Sequence, residues 1–457
     1  MASLPLQAMD LTSLRAVLAE LRPVLLPSRF EKARQAGSHT VQLGVRSLTG
    51  RHWLELSWQA EAPRLLAIEA PPRGGDGSTL AQQLQHGLGG LALVALEQQG
   101  WERVVELQFA ARPGEAIQRS LVVELMGRHS NLFLLDEDRR VVAAARQVRE
   151  QQSRLRPIGT GDPYTPPPPL GGAGPSRQES FEHWQAQLRL LPLPLGKALR
   201  SAYQGISPAL ALQLAGGHDP AALLATPVDG LQPAQWQQLW MRWQRWLEAL
   251  EQEHFTLQLG GATPYCCWAS STESEAGLLE DAPLPINRAL AAHHQRVLEA
   301  RQLQQRHQGL EHKLRQALAR ECALRQEQQQ RLDQVDSSDG LQEQADALLC
   351  LPQPSRDQVA EAQSLYKRAR KLRRSVAAIT PRLAEHDSRI AQLEASLTYL
   401  DQGEESLAGL QALDEECALL LQDRSQRRRQ RRTGGAADGG GAGVETPCPL
   451  ELTSPGG

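Results

Sequence analysis

The chain has 457 residues, of which 41% are hydrophobic and 4% aromatic, and its 49 Lys and Arg against 52 Asp and Glu give a formal net charge of -3. That length favours two to four domains with real cores, and the near-neutral total excludes a global attraction to nucleic acid or membrane, so any such affinity must be local. No run approaches the ~20 apolar residues that cross a bilayer. The start "MASLPLQAMDLTSLR" lacks a basic segment followed by an apolar one, and the six cysteines form neither a CxxC pair nor a metal-ligand spacing with histidine. A soluble, cytoplasmic protein without metal or cofactor is the expectation.

In chain order, "DLTSLRAVLAELRPVLL" (10–26) places Leu14, Val17, Leu18 and Leu21 on one face of a helix after an Asp/Thr/Ser start. "HTVQLGVRS" and "RHWLELSWQ" alternate apolar and polar residues around Leu48-Thr49-Gly50-Arg51, the pattern of a hairpin. A helix is predicted from Ser78 to about Gln99, followed by the strand-like "RVVELQF". "NLFLLD" and "RVVAAAR" flank Asp136-Glu137-Asp138 as a second hairpin. Together these predict an α+β domain over 1–163, closed by a stiff-then-flexible Pro/Gly linker at 164–180.

Residues 181–250 change to helix-forming composition. There Gly205-Ile206-Ser207-Pro208 separates two apolar helical runs, as a helix-hairpin-helix unit requires. Such a unit either grips nucleic-acid backbone through its amides or serves as plain packing, and the sequence leaves both open. Trp236, Trp240, Trp243 and Leu247 recur at helical spacing and read as core. After a connecting segment at 251–284, residues 285–432 are dominated by Gln, Arg, Glu, Ala and Leu. Ile379, Leu383, Ile390, Leu393, Leu397, Leu400 and Leu407 follow heptad spacing, interrupted by His386. Leu303, Leu310, Ala317 and Leu324 keep a period of seven in the first half, and breaks are predicted at "VDSSDG" and "LCLPQPSRD". Two long helices folding back as an antiparallel coiled-coil arm, ~60 Å long at 1.5 Å per residue, are expected. The Gly/Ala-rich tail, 433–457, is expected to be disordered.

The arm carries the local charge. "EAQSLYKRARKLRR" (361–374) holds six basic residues against Glu361, and Lys367, Arg370, Lys371 and Arg374 share one helical face with Arg368 beside them. Residues 288–332 add nine Lys and Arg against four acids, and "RSQRRRQRR" (424–432) adds six arginines. Such one-sided charge points to phosphate backbone, with an acidic protein surface as the competing partner. No P-loop, GxGxxG, HExxH or GxSxG is present. In "MGRHSNLFLLD" (126–136) Ser130 and His129 are sequence neighbours with no third orienting group, so no catalytic residue is expected and the protein is not read as an enzyme.

"LVVELMGRHSNLFLLDEDRRVVAAAR", "RLRPIGTGDPYTPPPP", "GISPALA" and "AEAQSLYKRARKLRRSVAAITPRL" occur in the order seen in the NFACT family, which the chain resembles from about residue 9 to 400. The resemblance implies an N-terminal NFACT-N domain like that of formamidopyrimidine glycosylases, then helix-hairpin-helix and coiled-coil parts. It implies ribosome quality control: binding to the large ribosomal subunit obstructed by peptidyl-tRNA, with recruitment of alanyl-tRNA for template-free alanine tailing. Peptidyl transfer would belong to the ribosome. The arm residues Lys367, Arg368, Arg370, Lys371 and Arg374 would meet ribosomal RNA and the stalk-base protein.

The resemblance also carries tRNA-binding positions. The family's Asp-Arg pair falls on Glu102-Arg103, where the glutamate is one methylene longer. Its early aspartate is Asp10, and the acidic–aliphatic pair before Met-Gly is Glu124-Leu125. Arg128, His129 and Asn131 would sit at a helix-to-strand corner. His129 and Asn131 either bond tRNA or cap the turn onto backbone amides. Family members continue into an NFACT-R domain, of which "PLELTSPGG" resembles the first strand. Two other readings compete: a glycosylase-like enzyme, disfavoured because Ala2 stands where those enzymes have a proline nucleophile, and a matrix-binding, fibronectin-binding-like interaction protein without tailing activity.

Overall fold

A computed structural model of the chain describes residues 6–72, 78–169, 171–268, 284–402 and 407–421. It divides into two compact units, Met1–Leu298 and Glu299–Gly457. The arginine run at 424–432 and the tail at 433–457 lie outside the described residues.

The first unit opens with helix α1 (Leu11–Leu25), where Asp10 and Ser13 form a reciprocal capping box. Leu14, Val17, Leu18 and Leu21 are buried as the periodicity predicts. Strands β1 (Ser28–Gln35), β2 (Thr40–Ser47), β3 (Gly50–Ser57) and β4 (Arg64–Ile68) follow, then helix α2 (Thr79–Leu88). Strands β5 (Ala92–Gln98), β6 (Val104–Ala110), β7 (Ile117–Glu124), β8 (Asn131–Leu135) and β9 (Val141–Ala144) complete the sheet. The described residues form one nine-stranded sheet in the order β4-β3-β2-β1-β5-β6-β7-β8-β9, with antiparallel neighbours throughout. Both predicted hairpins form, β2–β3 with Ser47 opposite Gly50 and β8–β9 with Leu135 opposite Val141.

The helix predicted from Ser78 to Gln99 is half right. It ends at Leu88 before Gly89-Gly90, and Ala92–Gln98 is a strand. "ALVALEQ" suits a helix by propensity, but pairing with β6 and, at its start, with β1 overrides that weak preference. Strand β8 is buried on both faces: Leu132 and Leu134 join the main core, while Phe133 and Leu135 pack with Val122, Val141 and Ile158 on the other side.

Helices α3 (Phe181–Leu188), α4 (Leu195–Ala202), α5 (Pro208–Ala215), α6 (Pro220–Ala225) and α7 (Pro233–Glu251) surround a second core. Trp236, Trp243 and Leu247 of the predicted stripe are buried there with Trp184 and Trp246, and Trp240 packs against them partly buried. The Gly/Ala end of the expected linker is pinned: Ala173 pairs with Tyr203, and its amide donates to the Ala202 carbonyl at 2.8 Å. Short strands β10 (Gln258–Leu259) and β11 (Tyr265–Cys266) pair with each other. Helix α8 (Pro285–Leu349) starts in this unit, its first amides received by Glu20 at 2.8 and 3.0 Å.

In the second unit α8 pairs with α9 (Arg356–Gln402), and α10 (Leu407–Leu421) follows. Glu321 meets His386, Asp339 meets Arg373, and Asp346 meets Tyr366, so the two helices run antiparallel. The break expected at "VDSSDG" does not occur: α8 runs through it to Leu349, and the turn falls at "LCLPQPSRD". Leu310, Leu314, Leu393 and Leu400 pack with Leu410, Leu413 and Cys417 of α10, a third helix where two were expected.

Candidate nucleic-acid interface

Asp10 is the N-cap of α1 and is buried. Its Oδ1 accepts from the Ser13 amide at 2.9 Å and the Ser13 hydroxyl at 2.7 Å. Its Oδ2 accepts from the Ser207 hydroxyl at 2.8 Å. Ser207 in turn caps α5, its Oγ accepting from the Leu210 amide at 2.9 Å. Arg103, half-buried ahead of β6, donates from Nη1 to the Met9 carbonyl at 3.3 Å. Burial lowers the Arg103 pKa, against the opposing pull of the Asp10 and Glu102 carboxylates. The guanidinium stays charged all the same.

The turn that carries Glu102 and Arg103 is braced from two sides. The Arg15 guanidinium lies 5.2 Å from the Trp101 ring and donates to the Gly100 carbonyl at 2.8 Å. Gln98 Nε2 donates to the Glu102 carbonyl at 2.8 Å. Gly205, at φ +76°, presses on Trp101 so closely that a Cβ would stand 3.0 Å from the indole. The Gly-Ile-Ser-Pro turn therefore abuts the Glu102-Arg103 turn through Trp101 and through Asp10.

The Leu125 amide donates to the Arg103 carbonyl at 2.9 Å, which brings the "GRHSN" block to the same end of β6. The block is a strand-to-strand corner, not the helix-to-strand corner expected, because "IQRSLVVE" pairs with β6 and β8 as β7. One 3-10 turn, Gly127–His129, makes the bend, with Gly127 at φ +59°. Ser130 is buried and its Oγ accepts from the Met126 amide at 2.8 Å, which closes the turn. Arg128 and His129 are exposed, with Arg128 Nε donating to His129 Nε2 at 3.1 Å.

The remaining residues of the set are interior. Leu125 is 0% exposed and Glu124 1%. Glu124 takes Arg156 in a fork, Nη1 at 2.9 Å and Nη2 at 2.5 Å, and accepts from the Tyr164 hydroxyl at 2.9 Å. Burial works against the Arg156 charge, and its bonds to Glu124 outweigh that, so its pKa rises. Burial and the same carboxylate raise that of Tyr164. Asn131 is 3% exposed. Its Oδ1 accepts from the Leu132 and Arg146 amides at 2.9 Å, and its Nδ2 donates to the Arg146 carbonyl at 2.9 Å. The structure therefore brings half-buried Arg103 and exposed Arg128 and His129 to one end of the β6, β7 and β8 strands and puts Asp10, Glu124, Leu125 and Asn131 in the interior beside them. Ser207, expected only as a helix start, and Arg156 and Tyr164, given no role in the sequence reading, hold these residues. Arg156 meets Glu124 across 32 positions, a pairing with no local signal.

In the second unit Lys367, Arg368, Arg370, Lys371 and Arg374 are exposed and make no ion pair or hydrogen bond with another described residue. Arg373 differs: it donates to Asp339 at 2.7 Å and to Gln342 at 2.6 Å. Lys367, Arg370, Arg373 and Arg374 line an open groove of about 780 Å³ with Tyr366 and Gln342. Among the described residues no cluster of three or more His, Cys, Asp or Glu could hold a metal ion, and no helix is long and apolar enough to cross a membrane.

The NFACT N-terminal and middle domains match residues 10–357 and 352–433. Curated relatives named Rqc2 homolog RqcH include one from Streptococcus suis, 29% identical over 211 residues, 44% of this chain and 37% of the relative. Another, from Streptococcus pneumoniae, is 28% identical over 203 residues, 42% and 35% respectively, and one from Bacillus subtilis is 25% identical over 199 residues, 42% and 34%. The matches thus span about a third of the length of these relatives. Among solved structures, the N-terminal part of the fibronectin/fibrinogen-binding protein from Streptococcus suis is 21% identical at a TM-score of 0.48, covering 63% of this chain and 99% of that one. The N-terminal domain of fibronectin-binding protein PavA from Streptococcus pneumoniae is 23% identical at 0.41, covering 57% and 94%. With the family match running over most of its length, the chain belongs to the NFACT family.

Proposed function

We propose that the chain is a cytoplasmic ribosome quality-control factor. It binds large ribosomal subunits obstructed by peptidyl-tRNA and recruits alanyl-tRNA for template-free alanine tailing, while the ribosome performs peptidyl transfer. The observation that carries this reading is the strand end where half-buried Arg103 stands with exposed Arg128 and His129. The two guanidiniums are positively charged donors and the His129 ring is a further polar group beside them, suited together to a phosphate or a base edge. Family membership and the relatives named Rqc2 homolog RqcH support it. Residues 195–215 are read as the helix-hairpin-helix unit and α8–α9 as a coiled-coil arm. The exposed Lys367, Arg368, Arg370, Lys371 and Arg374, which have no ion pair among the described residues, are assigned to ribosomal RNA and the stalk base. Asp10, Glu102, Glu124, Leu125 and Asn131 act by positioning Arg103, Arg128 and His129.

The test is co-sedimentation of the full chain with large subunits carrying peptidyl-tRNA, with bound alanyl-tRNA measured in the same pellet. Native protein is expected to pellet with both. Arg103→Ala is expected to keep the subunit and lose the alanyl-tRNA. Failure of the native chain to pellet with obstructed subunits overturns the reading.

A further inference from the structure

Glu124 and Asn131 face each other across β7 and β8 as register partners. Each reaches out of the sheet to hold one end of the segment 146–156. Asn131 takes both backbone groups of Arg146, and Glu124 takes the guanidinium of Arg156. Val148, inside the segment, and Ile158, two residues past its end, exchange amide-to-carbonyl bonds of 3.0 and 2.9 Å and close the base of the loop. Two buried polar residues thus fix an excursion that has little apolar content of its own.

What the excursion displays is charge. The stretch "RQVREQQSRLR" carries four arginines against Glu150. Arg156 is consumed by Glu124. Arg146, Arg149 and Arg154 are exposed and make no ion pair with another described residue. Arg139, nearby in sequence, is by contrast paired with Glu106 at 2.9 Å. Arg146 turns back to the "GRHSN" corner, its Nη1 donating to the Arg128 carbonyl at 2.7 Å. That bond seats its guanidinium beside Arg128 and His129. A cation held by a neutral carbonyl keeps its full charge and its remaining N–H donors for another acceptor.

We infer that Arg146, with Arg149 and Arg154, forms an RNA phosphate-binding extension of the Arg128-His129 corner, held in place by Glu124 and Asn131. The inference rests on the tRNA-facing reading of that corner and adds residues to it. Three exposed arginines on an anchored loop match the spaced negative charge of a nucleic-acid backbone. Anchoring limits the ordering entropy that a free loop would lose on binding.

The experiment measures binding of the full chain to an unmodified tRNA transcript across a potassium chloride series. The variants are Arg146→Ala and the triple Arg146→Ala/Arg149→Ala/Arg154→Ala, exposed substitutions that leave the anchors intact. Each lost phosphate contact removes roughly 0.7–0.9 from the slope of log K against log salt, so the triple variant is expected to flatten the slope by about two to three. Asn131→Ala, which frees the Arg146 end, is expected to flatten it by about one, with Arg146→Lys recovering most of the Arg146→Ala loss. An unchanged slope and affinity in the triple variant, with Arg103→Ala still weakening the complex, overturns this inference alone. No tRNA binding by the native chain overturns it together with the reading of the corner.

Discussion

The Ser207 hydroxyl donates to Asp10 Oδ2 at 2.8 Å while each residue caps its own helix, Asp10 that of α1 and Ser207 that of α5. One hydrogen bond across 197 positions thus ties the start of the α1–sheet core to the Gly-Ile-Ser-Pro turn. Thr12 reinforces the tie by accepting from Trp246 Nε1 at 2.9 Å.

Asp10→Ala removes a cap, the bond from Ser207 and the carboxylate that favours charge on Arg103. Loss of a cap costs about 1 kcal/mol, and leaving the buried Ser13 hydroxyl without the Asp10 carboxylate about 1–3 kcal/mol. Urea unfolding is expected to show Asp10→Ala destabilised by about 2–3 kcal/mol and Ser207→Ala by about 1–2 kcal/mol. Because the two residues share a bond, the double variant should lose less than the sum. Strict additivity would show that the bond contributes nothing.

The α1 face, both hairpins and the tryptophan core were legible because each follows from a local period of 3.6 or 2. Strand β5 was not, since Ala92, Leu93, Ala95 and Leu96 favour a helix until β1 and β6 flank them. Ser207 was visible as a helix start, but not its bond to Asp10. The Arg156–Glu124 fork was equally hidden. Both depend on which distant segments the sheet brings together, and no periodicity encodes that. In the "GRHSN" block, residue chemistry gave Arg128 and His129 their expected exposure. For Asn131 both readings were open, and its buried side chain bonds the backbone of Leu132 and Arg146.

His294 is buried beside Tyr265 and His293, and neither ring nitrogen has a hydrogen-bond partner among the described residues. Burial first, then the charges of Arg64 and His293, push its pKa down to about 3. In the unfolded chain a histidine titrates near 6.5. Between those values the unfolded chain binds a proton that the folded chain refuses, so stability falls as pH drops below about 6.5 and stops falling near 3. The slope from this group is about 1.4 kcal/mol per pH unit. His294→Leu is expected to lose about 2 kcal/mol less than native protein between pH 7 and pH 5 in urea unfolding. Identical losses would place the acid sensitivity elsewhere.

The exposed basic residues of α9 give a salt-dependence prediction. Lys367→Ala/Arg370→Ala/Lys371→Ala/Arg374→Ala removes four exposed charges and no described ion pair. The folded stability should move by less than about 0.5 kcal/mol. Binding to large ribosomal subunits should weaken, with the log K against log salt slope falling by roughly three. Arg373→Ala is the comparison: it breaks the bridge to Asp339, an exposed pair contributing about 0–1 kcal/mol. A slope unchanged in the fourfold variant would assign this face to something other than phosphate.

Glu321 joins the two long helices through buried polar groups, its Oε2 on His386 Nδ1 at 2.6 Å and its Oε1 on Arg389 Nη1 at 2.9 Å. His386 is the polar intrusion in the heptad, and it is buried where leucines occupy the neighbouring layers. Glu321→Ala leaves His386 and Arg389 without their carboxylate and opens a void, which should destabilise the helix pair by about 3 kcal/mol. Replacing the buried pair, Glu321→Leu/His386→Leu, removes most of the desolvation cost but also the Arg389 bond to Glu321, and should cost less than Glu321→Ala. Its further cost should appear as lost register: the polar layer admits one alignment of α8 on α9, whereas leucine on leucine tolerates a shift by a heptad. Double electron–electron resonance between labels at Arg325→Cys and Asp387→Cys, in a background with the native cysteines replaced, reads this directly. One narrow distance is expected with Glu321 and His386 present, and a second population with both leucines. A single unchanged distance in the leucine pair would mean that the apolar layers alone set the register.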